Sequence, residues 1–174
     1  MSDTRFRDAT LYRTKGADRI NVNNLLAAVC VTILCLLVTV SSEGVNIWSV
    51  LQLAIAIPCL ITSSLCYAKL AYRPAGELDT WNLAGWITSS IGYVCVLNAT
   101  AVLLYVSQYR DAAWSFVGVN AALFLLYALI DVYIGSKVSG KRDKSRIKEK
   151  SIKTLFYLVL LLLGAVFPLV FKIS

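Results

Sequence analysis

The chain contains no histidine and few charged residues. Without histidine, the commonest metal ligand, the usual haem ligand and the usual general base at neutral pH are missing. Charged residues make up only 16% of the 174 residues, whereas a soluble domain has about 25%. The sequence also lacks nucleophile triads, phosphate-binding glycine loops, paired carboxylates with a positioned base and Cys/His clusters. We therefore expect a protein that is not an enzyme and that holds no metal and no cofactor.

The cysteines offer no alternative chemistry. All five lie inside apolar runs, and no two of them form a Cys-x-x-Cys motif. They are Cys30, Cys35, Cys59, Cys66 and Cys95. This pattern is typical of small apolar packing residues and not of a redox or metal site.

What the chain has in abundance is apolar sequence, and it occurs in blocks. Hydrophobic residues make up 58% of the chain, and residues 81–106 contain no Asp, Glu, Lys or Arg. A helix of that length crosses about 30 Å of hydrocarbon. Five such blocks predict five transmembrane helices, at residues 25–42, 47–68, 81–106, 113–134 and 154–171. The expected fold is an all-α, polytopic membrane protein with a single domain over residues 1–174.

Lysine and arginine are distributed asymmetrically between the predicted loops. The N-terminal segment 1–24 carries five, the loop 69–80 carries two and the basic segment 135–153 carries eight. The opposite side has only Arg110 and Lys172. By the positive-inside rule, we expect a multi-pass protein with the N-terminus, the loop 69–80 and the basic segment 135–153 in the cytoplasm. The C-terminus would lie on the other side.

Small residues recur at steps of three and four in the first four spans, a spacing that lets helices approach closely in lipid. These stripes are Ala28, Thr32, Cys35, Thr39 and Ser42; Gln52, Ala56, Cys59, Ser63 and Cys66; Gly85, Thr88, Gly92, Cys95 and Ala99; and Gly118, Ala121, Leu125, Ala128, Val132 and Gly135. Gly85, Gly92 and Gly118 are the predicted helix-packing contacts. The leucines of span five point in all directions, as in a helix that mostly contacts lipid. The stripes predict an antiparallel four-helix bundle with a peripheral fifth helix.

Polar residues within the spans are candidates for function, because polar groups are costly inside a membrane. The candidates for an intramembrane polar lining are Gln52, Asn98, Asn120, Tyr127 and Asp131. They would line a wet path or a site between protomers. The alternative is structural: the amides form hydrogen bonds between helices, and Asp131 pairs with a lysine at the membrane edge.

The basic segment lies beside the inner leaflet in this topology, so its charges are candidates to contact anionic lipid or an acidic partner. The candidate contacts are Lys141, Arg142, Lys144, Arg146, Lys148 and Lys150. Their alternative role is to set the membrane orientation and nothing more. No aromatic residues alternate with these charges, which disfavours binding of nucleic acid.

Three hypotheses for function follow. The first is a non-enzymatic integral membrane protein that self-associates or joins another membrane subunit, with a pore for ion permeation or membrane perturbation as its possible activity. The second is an accessory or scaffold protein that docks an acidic partner or anionic lipid through its basic segment. The third, a small transporter or lipid-modifying enzyme, is disfavoured by the missing acid/base residues.

Overall fold

The computed structural model describes the backbone of residues 2–40, 46–139 and 144–171, and side chains at 14, 16–39, 46–74, 76–130, 133 and 152–171. Within these ranges the chain forms helices and turns and contains no strand. Five helices are long and apolar enough to cross a membrane. The chain is therefore a multi-pass, all-α membrane protein, and the predicted class and number of spans are confirmed.

Six α-helices follow one another in the part of the chain that the structure describes. They are α1 (Ser2–Val40), α2 (Ile47–Lys69), α3 (Leu78–Val106), α4 (Arg110–Ser139), α5 (Lys144–Leu161) and α6 (Phe167–Phe171). A 3-10 turn, Ala75–Glu77, precedes α3, and a π-helical turn, Leu162–Val166, joins α5 to α6. The fifth span thus consists of the end of α5, the π turn and α6.

Helix α1 is longer than its sequence suggests. The polar first segment predicts a tail or a separate short helix before a span that starts at residue 25, but α1 is one helix of 39 residues. Its apolar stretch starts at Gly16 and ends at Thr39. The predicted start was too late because Asn23 and Asn24 look like aqueous residues in isolation, whereas in the structure their side chains bond to α2.

The helix ends follow from local chemistry. Asn46 caps α2 because its side-chain oxygen accepts a hydrogen bond from the Ser49 N–H at 3.1 Å. Helix α2 continues through Pro58 and ends at Lys69. Between α3 and α4, Gln108 adopts a positive φ of 69°, which reverses the chain within three residues. The predicted turn at 41–44 and the predicted break at Gly140 lie outside the described residues.

Contacts between Cα atoms divide the chain into two compact units, unit 1 (Met1–Val96) and unit 2 (Leu97–Ser174). In unit 1, α1 packs along α2, and the first part of α3 packs on α2. In unit 2, α4 packs along α5, where Phe124 and Tyr157 stack with ring centroids 5.0 Å apart. The single domain, the four-helix bundle and the peripheral place of the fifth helix stay predictions.

Helix α1 contacts α2 through a different face from the predicted one. Its buried residues are Gly16, Asn23, Ala27 and Cys30. The predicted stripe of Ala28, Thr32, Cys35 and Thr39 is exposed, so the prediction for this span is wrong within the chain. Both sets have helical spacing, and their centres lie about 140° apart around the axis. The polar partners on α2 and α3 select the face that carries Asn23.

Candidate functional site

A chain of buried hydrogen bonds joins the three helices of unit 1. The Tyr93 hydroxyl donates to Asn23 Oδ1 at 2.7 Å, and Asn23 Nδ2 donates to Ser63 Oγ at 2.9 Å. The Ser63 hydroxyl then donates to the carbonyl oxygen of Gly85 at 2.7 Å. Asn23 and Ser63 are completely buried. We call Asn23, Ser63, Gly85 and Tyr93 the polar network.

Two glycines of α3 bring the backbone close enough for this contact. A Cβ atom on Gly85 would lie 2.9 Å from Cε1 of Tyr67, and one on Gly92 would lie 2.8 Å from Cγ of Leu60. Both distances are too short for real side chains, so α2 and α3 contact each other where α3 has no side chain. Gly118, the third predicted packing glycine, is exposed, and a Cβ there would meet no atom within 4 Å.

The polar network is suited to holding helices in register. Its groups are an amide, two hydroxyls and a backbone carbonyl, and none of them is a carboxylate, an amine or an imidazole. A second contact lies beside it, where the Ser64 hydroxyl donates to Asn24 Oδ1 at 2.9 Å. Such paired groups remove the cost of burying polar atoms and determine which residues of two helices meet.

A set of cations marks one end of unit 1. We call Arg19, Lys69 and Arg73 the cationic edge. Cζ of Arg19 lies 5.1 Å from the ring centroid of Tyr67, and its guanidinium also donates to the Tyr67 hydroxyl. Nζ of Lys69 lies 5.1 Å from the ring centroid of Tyr72, and Cζ of Arg73 lies 5.9 Å from that of Trp81. The cations lie near the ends of the apolar spans, which start at Gly16, end at Lys69 and start again at Leu78. Paired cations and aromatic rings at span ends are typical of residues at the membrane–water interface.

The residues of the predicted polar lining have separate surroundings. Gln52 is buried in α2 of unit 1. In unit 2, Asn98 Nδ2 donates to the Leu160 carbonyl at 3.2 Å, while Asn120 Nδ2 donates to the carbonyl of Phe116 in its own helix at 2.7 Å. Tyr127 is 71% exposed. The backbone of Asp131 belongs to α4, and its side chain lies outside the described part.

Asn98 has one atom that its surroundings do not satisfy. The side chain is 2% exposed, and among the described residues its Oδ1 has no hydrogen-bond partner. Its amide nitrogen bonds to α5 one residue before the end of that helix. Just beyond, the Phe167 N–H bonds to the carbonyl of Leu162, five residues earlier. Asn98 therefore fixes α3 to the segment where the fifth span changes its hydrogen-bond pattern.

The basic segment is described only in part. Lys141 and Arg142 lie outside the described residues, and for Lys144, Arg146, Lys148 and Lys150 the structure describes the backbone of α5 alone. That backbone is informative, because α5 runs without a break from Lys144 to Leu161. The second half of the basic segment is thus helical and continuous with the fifth span.

Sequence reasoning missed the residues that unit 1 actually brings together. The sequence did not single out Asn23, Tyr93 or Arg19 as candidates. Asn23 and Arg19 fell in the N-terminal segment before the first predicted span, and Tyr93 was one of several aromatic residues in the third. The usable signal was the helical spacing of Gly16, Asn23, Ala27 and Cys30, which extends one helix face nine residues ahead of the predicted start of the span at residue 25.

No protein-family model, curated protein or solved structure matches the chain. Function is therefore inferred from the contacts, burial and charges of the described residues.

Proposed function

We propose that the chain is a non-enzymatic membrane protein that works as an oligomer or as a subunit of a membrane complex. The observation that carries the proposal is the outer stripe of α1, defined as Ala28, Thr32, Cys35 and Thr39, which is exposed in the chain. A face that contacts only lipid gains nothing from small side chains. A face that meets another helix gains close van der Waals contact.

The hydroxyls of the outer stripe are compatible with such a contact. Thr32 Oγ1 donates to the Ala28 carbonyl at 3.0 Å, and Thr39 Oγ1 donates to the Cys35 carbonyl at 2.7 Å. Because each hydroxyl is paired within α1, the stripe presents methyl groups and backbone to a neighbour without an unsatisfied donor.

The burial of the spans supports the same proposal. About 44% of the apolar window is buried in α2 and in α3, but only 17% in α1 and 11% in α4. Helices α1 and α4 therefore offer the largest free membrane-facing surface. The polar network, by contrast, is internally paired and contains no carboxylate or histidine for acid–base chemistry, which supports a structural role for unit 1.

A native cysteine tests the proposal without an added probe. Cys35 lies on the outer stripe and is exposed, whereas Cys30 on the same helix is buried. Oxidation of membranes that contain the full chain should produce a cross-linked dimer, and the mass of the detergent-solubilised protein should exceed that of a monomer. Cys35→Ala should abolish the cross-link, and the matched variant Cys30→Ala should retain it. A monomeric mass together with no cross-link in the wild type contradicts the proposal.

Ion permeation through the oligomer is a second candidate. It is favoured by Tyr127, which is exposed on α4 and lies two helical turns after Asn120 on the same face. Asp131 follows on the same helix. Flux through liposomes should then fall in Asn120→Leu and Asp131→Asn. Ser115→Leu serves as the comparison, because Ser115 is exposed on the same helix and is not a candidate for the polar lining. Unchanged flux in both α4 variants would remove the pore role of these residues.

Docking of anionic lipid or an acidic partner by the basic segment is the scaffold alternative. It is supported by the continuity of α5, because a partner bound to the basic half of this helix would be held directly beside the fifth span. Capture of the partner by the full chain should be lost when Lys144, Arg146, Lys148 and Lys150 are replaced by Gln. Capture that persists in this variant would argue against the basic segment as the docking surface.

A further inference from the structure

The cationic edge of unit 1 differs from an ordinary set of surface charges because aromatic rings hold its cations in place. Each of its three cations lies over an aromatic ring, Arg19 over Tyr67, Lys69 over Tyr72 and Arg73 over Trp81. Stacking occupies the face of a guanidinium, so its N–H groups still point outward along the edge of the group. The charges are thus held in place, while the donors that Tyr67 does not use and that are not buried remain available.

A buried cluster fixes the rings beneath two of these cations. Tyr67, Leu70 and Leu78 form the cluster, and Ile20 and Trp81 pack against it. The rings under Arg19 and Arg73 therefore belong to one rigid group that joins α1, α2 and α3. Gly16 allows α1 to reach this group, since a Cβ there would lie 3.3 Å from the Tyr67 carbonyl oxygen.

The donors of Arg73 are largely unused. Its Nη1 lies 3.6 Å from Oε2 of Glu77, which is longer than a hydrogen bond. Its Nε is buried and has no hydrogen-bond partner among the described residues. The Arg73 side chain as a whole is 40% exposed, so its terminal Nη groups, and not the buried Nε, are the donors that a phosphate oxygen can reach.

The local charge also favours an anion. The chain segments at this end, residues 13–19 and 69–80, carry five lysines and arginines against three acids. The acids are Asp18, Glu77 and Asp79, of which Glu77 accepts from Trp81 Nε1 at 3.4 Å as well as facing Arg73. The edge therefore keeps a net positive charge next to the apolar windows that start at Gly16 and end at Lys69.

We propose that Arg19 and Arg73, assisted by Lys69, bind the phosphate of an anionic glycerophospholipid in the leaflet at this end of unit 1. The cations contact the phosphate, Tyr72 and Trp81 lie at the level of the glycerol and headgroup, and the acyl chains follow the apolar surface of α1 and α2. This site uses no residue of the basic segment, and it does not depend on self-association of the chain.

Native mass spectrometry of the full chain in detergent tests the site, with phosphatidylglycerol and phosphatidylcholine as probes. The wild type should bind phosphatidylglycerol more tightly. Arg19→Gln and Arg73→Gln should each weaken that binding about fivefold, as expected for one basic residue near anionic lipid. Arg110→Gln is the matched control, because Arg110 lies over the Tyr105 ring at 5.4 Å in unit 2. It should leave the affinity unchanged.

Three results would overturn the proposal: equal affinity for the two lipids, an equal loss in the Arg110 control, or unaltered binding in both Arg19→Gln and Arg73→Gln. Inorganic phosphate separates a lipid site from a free-anion site, and displacement of the lipid by phosphate alone would also overturn the proposal.

A second measurement uses the wild type alone and therefore still tests the site if the variants misfold. A phosphatidylglycerol with a photoreactive headgroup should label wild-type peptides that contain residues 14–20 and 67–81, and labelling confined to other peptides contradicts the site.

Discussion

At the scale of single residues, the membrane makes every buried polar group depend on its partner. Asn23 is completely buried and yet uses both ends of its amide, accepting from Tyr93 and donating to Ser63. Asn98 is nearly as buried, but only its nitrogen is paired among the described residues. The same residue type is thus a fully used link in unit 1 and a half-used one in unit 2.

Tyr93→Phe should lower the free energy of unfolding by about 1 kcal/mol, because it leaves Asn23 Oδ1 without a donor. Thermal or detergent-induced unfolding of the purified protein measures the change. Tyr127→Phe removes the same hydroxyl from a side chain that is 71% exposed, and it should change stability by less than about 0.5 kcal/mol. Equal effects in the two variants would show that the polar network does not stabilise unit 1.

Gly92→Ala should destabilise the chain by about 1–3 kcal/mol, because the new methyl group would lie 2.8 Å from Cγ of the fully buried Leu60. Gly118→Ala meets no atom within 4 Å and should be neutral or stabilising by about 0.5–1 kcal/mol, since alanine favours helix over glycine. The same unfolding measurement applies. A stable Gly92→Ala variant would mean that α2 and α3 do not contact each other at this glycine.

At the scale of helices, the faces that pack are decided by a few contacts and not by the small-residue stripe alone. Helix α1 has two candidate faces of similar spacing, and it buries the one with Asn23, Ala27 and Cys30. In α2 and α3 the predicted stripes do lie inward, with Ala56, Ser63, Gly92 and Ala99 all buried. The stripe of α4 is mixed among the described residues, since Gly118 and Leu125 are exposed and Ala121 and Ala128 are half-buried.

Two neighbouring alanines separate the inner and outer faces of α1. Ala27 is 7% exposed and Ala28 is exposed. Ala27→Leu should overfill the contact with α2 and cost about 1–3 kcal/mol of stability. Ala28→Leu should leave the fold unchanged, and under the proposed assembly it should lower the oligomer mass in detergent. Equal loss of folding in both variants would place the α1–α2 contact on a broader face than the structure has.

The fifth span shows a second effect at this scale. Pro168 has no N–H, so inside a helix it removes one backbone hydrogen bond and disturbs the preceding turn. The π turn Leu162–Val166 ends two residues before it. The predicted helix over 154–171 was therefore correct in position but too regular. The apolar stretch begins at Ile152, close to the predicted start, and the helix that contains it begins already at Lys144.

At the scale of the whole molecule, the number of candidate spans and the charge asymmetry together predict a topology. Five crossings would place the ends of the chain on opposite sides of the bilayer. Fifteen of the seventeen lysines and arginines would then fall on the side of the N-terminus, and the positive-inside rule predicts that this side is the cytoplasm. The contact of Arg19 with Tyr67 is consistent with this, since it brings the start of the first span to the end of the second.

The orientation is measurable by labelling. In a variant without the native cysteines, Ser174→Cys should react with a membrane-impermeant maleimide added to intact cells. Ser2→Cys should react only after permeabilisation. Ser107→Cys, in the turn between α3 and α4, is the control for the outer side. Labelling of both termini from the same side would require an even number of crossings and would contradict the topology.

The sequence was sufficient for the helical class, for five spans and for the positions of most of their ends. These features depend on hydrophobicity and charge within windows of about twenty residues, and on local caps such as Asn46. The pairing of Asn23 with Tyr93 joins residues 70 positions apart. The cationic edge needs rings from α2, α3 and the loop between them under cations from α1, α2 and that loop. Only the tertiary structure decided these contacts, because a helix face has no preference until the side chains of another helix lie opposite it.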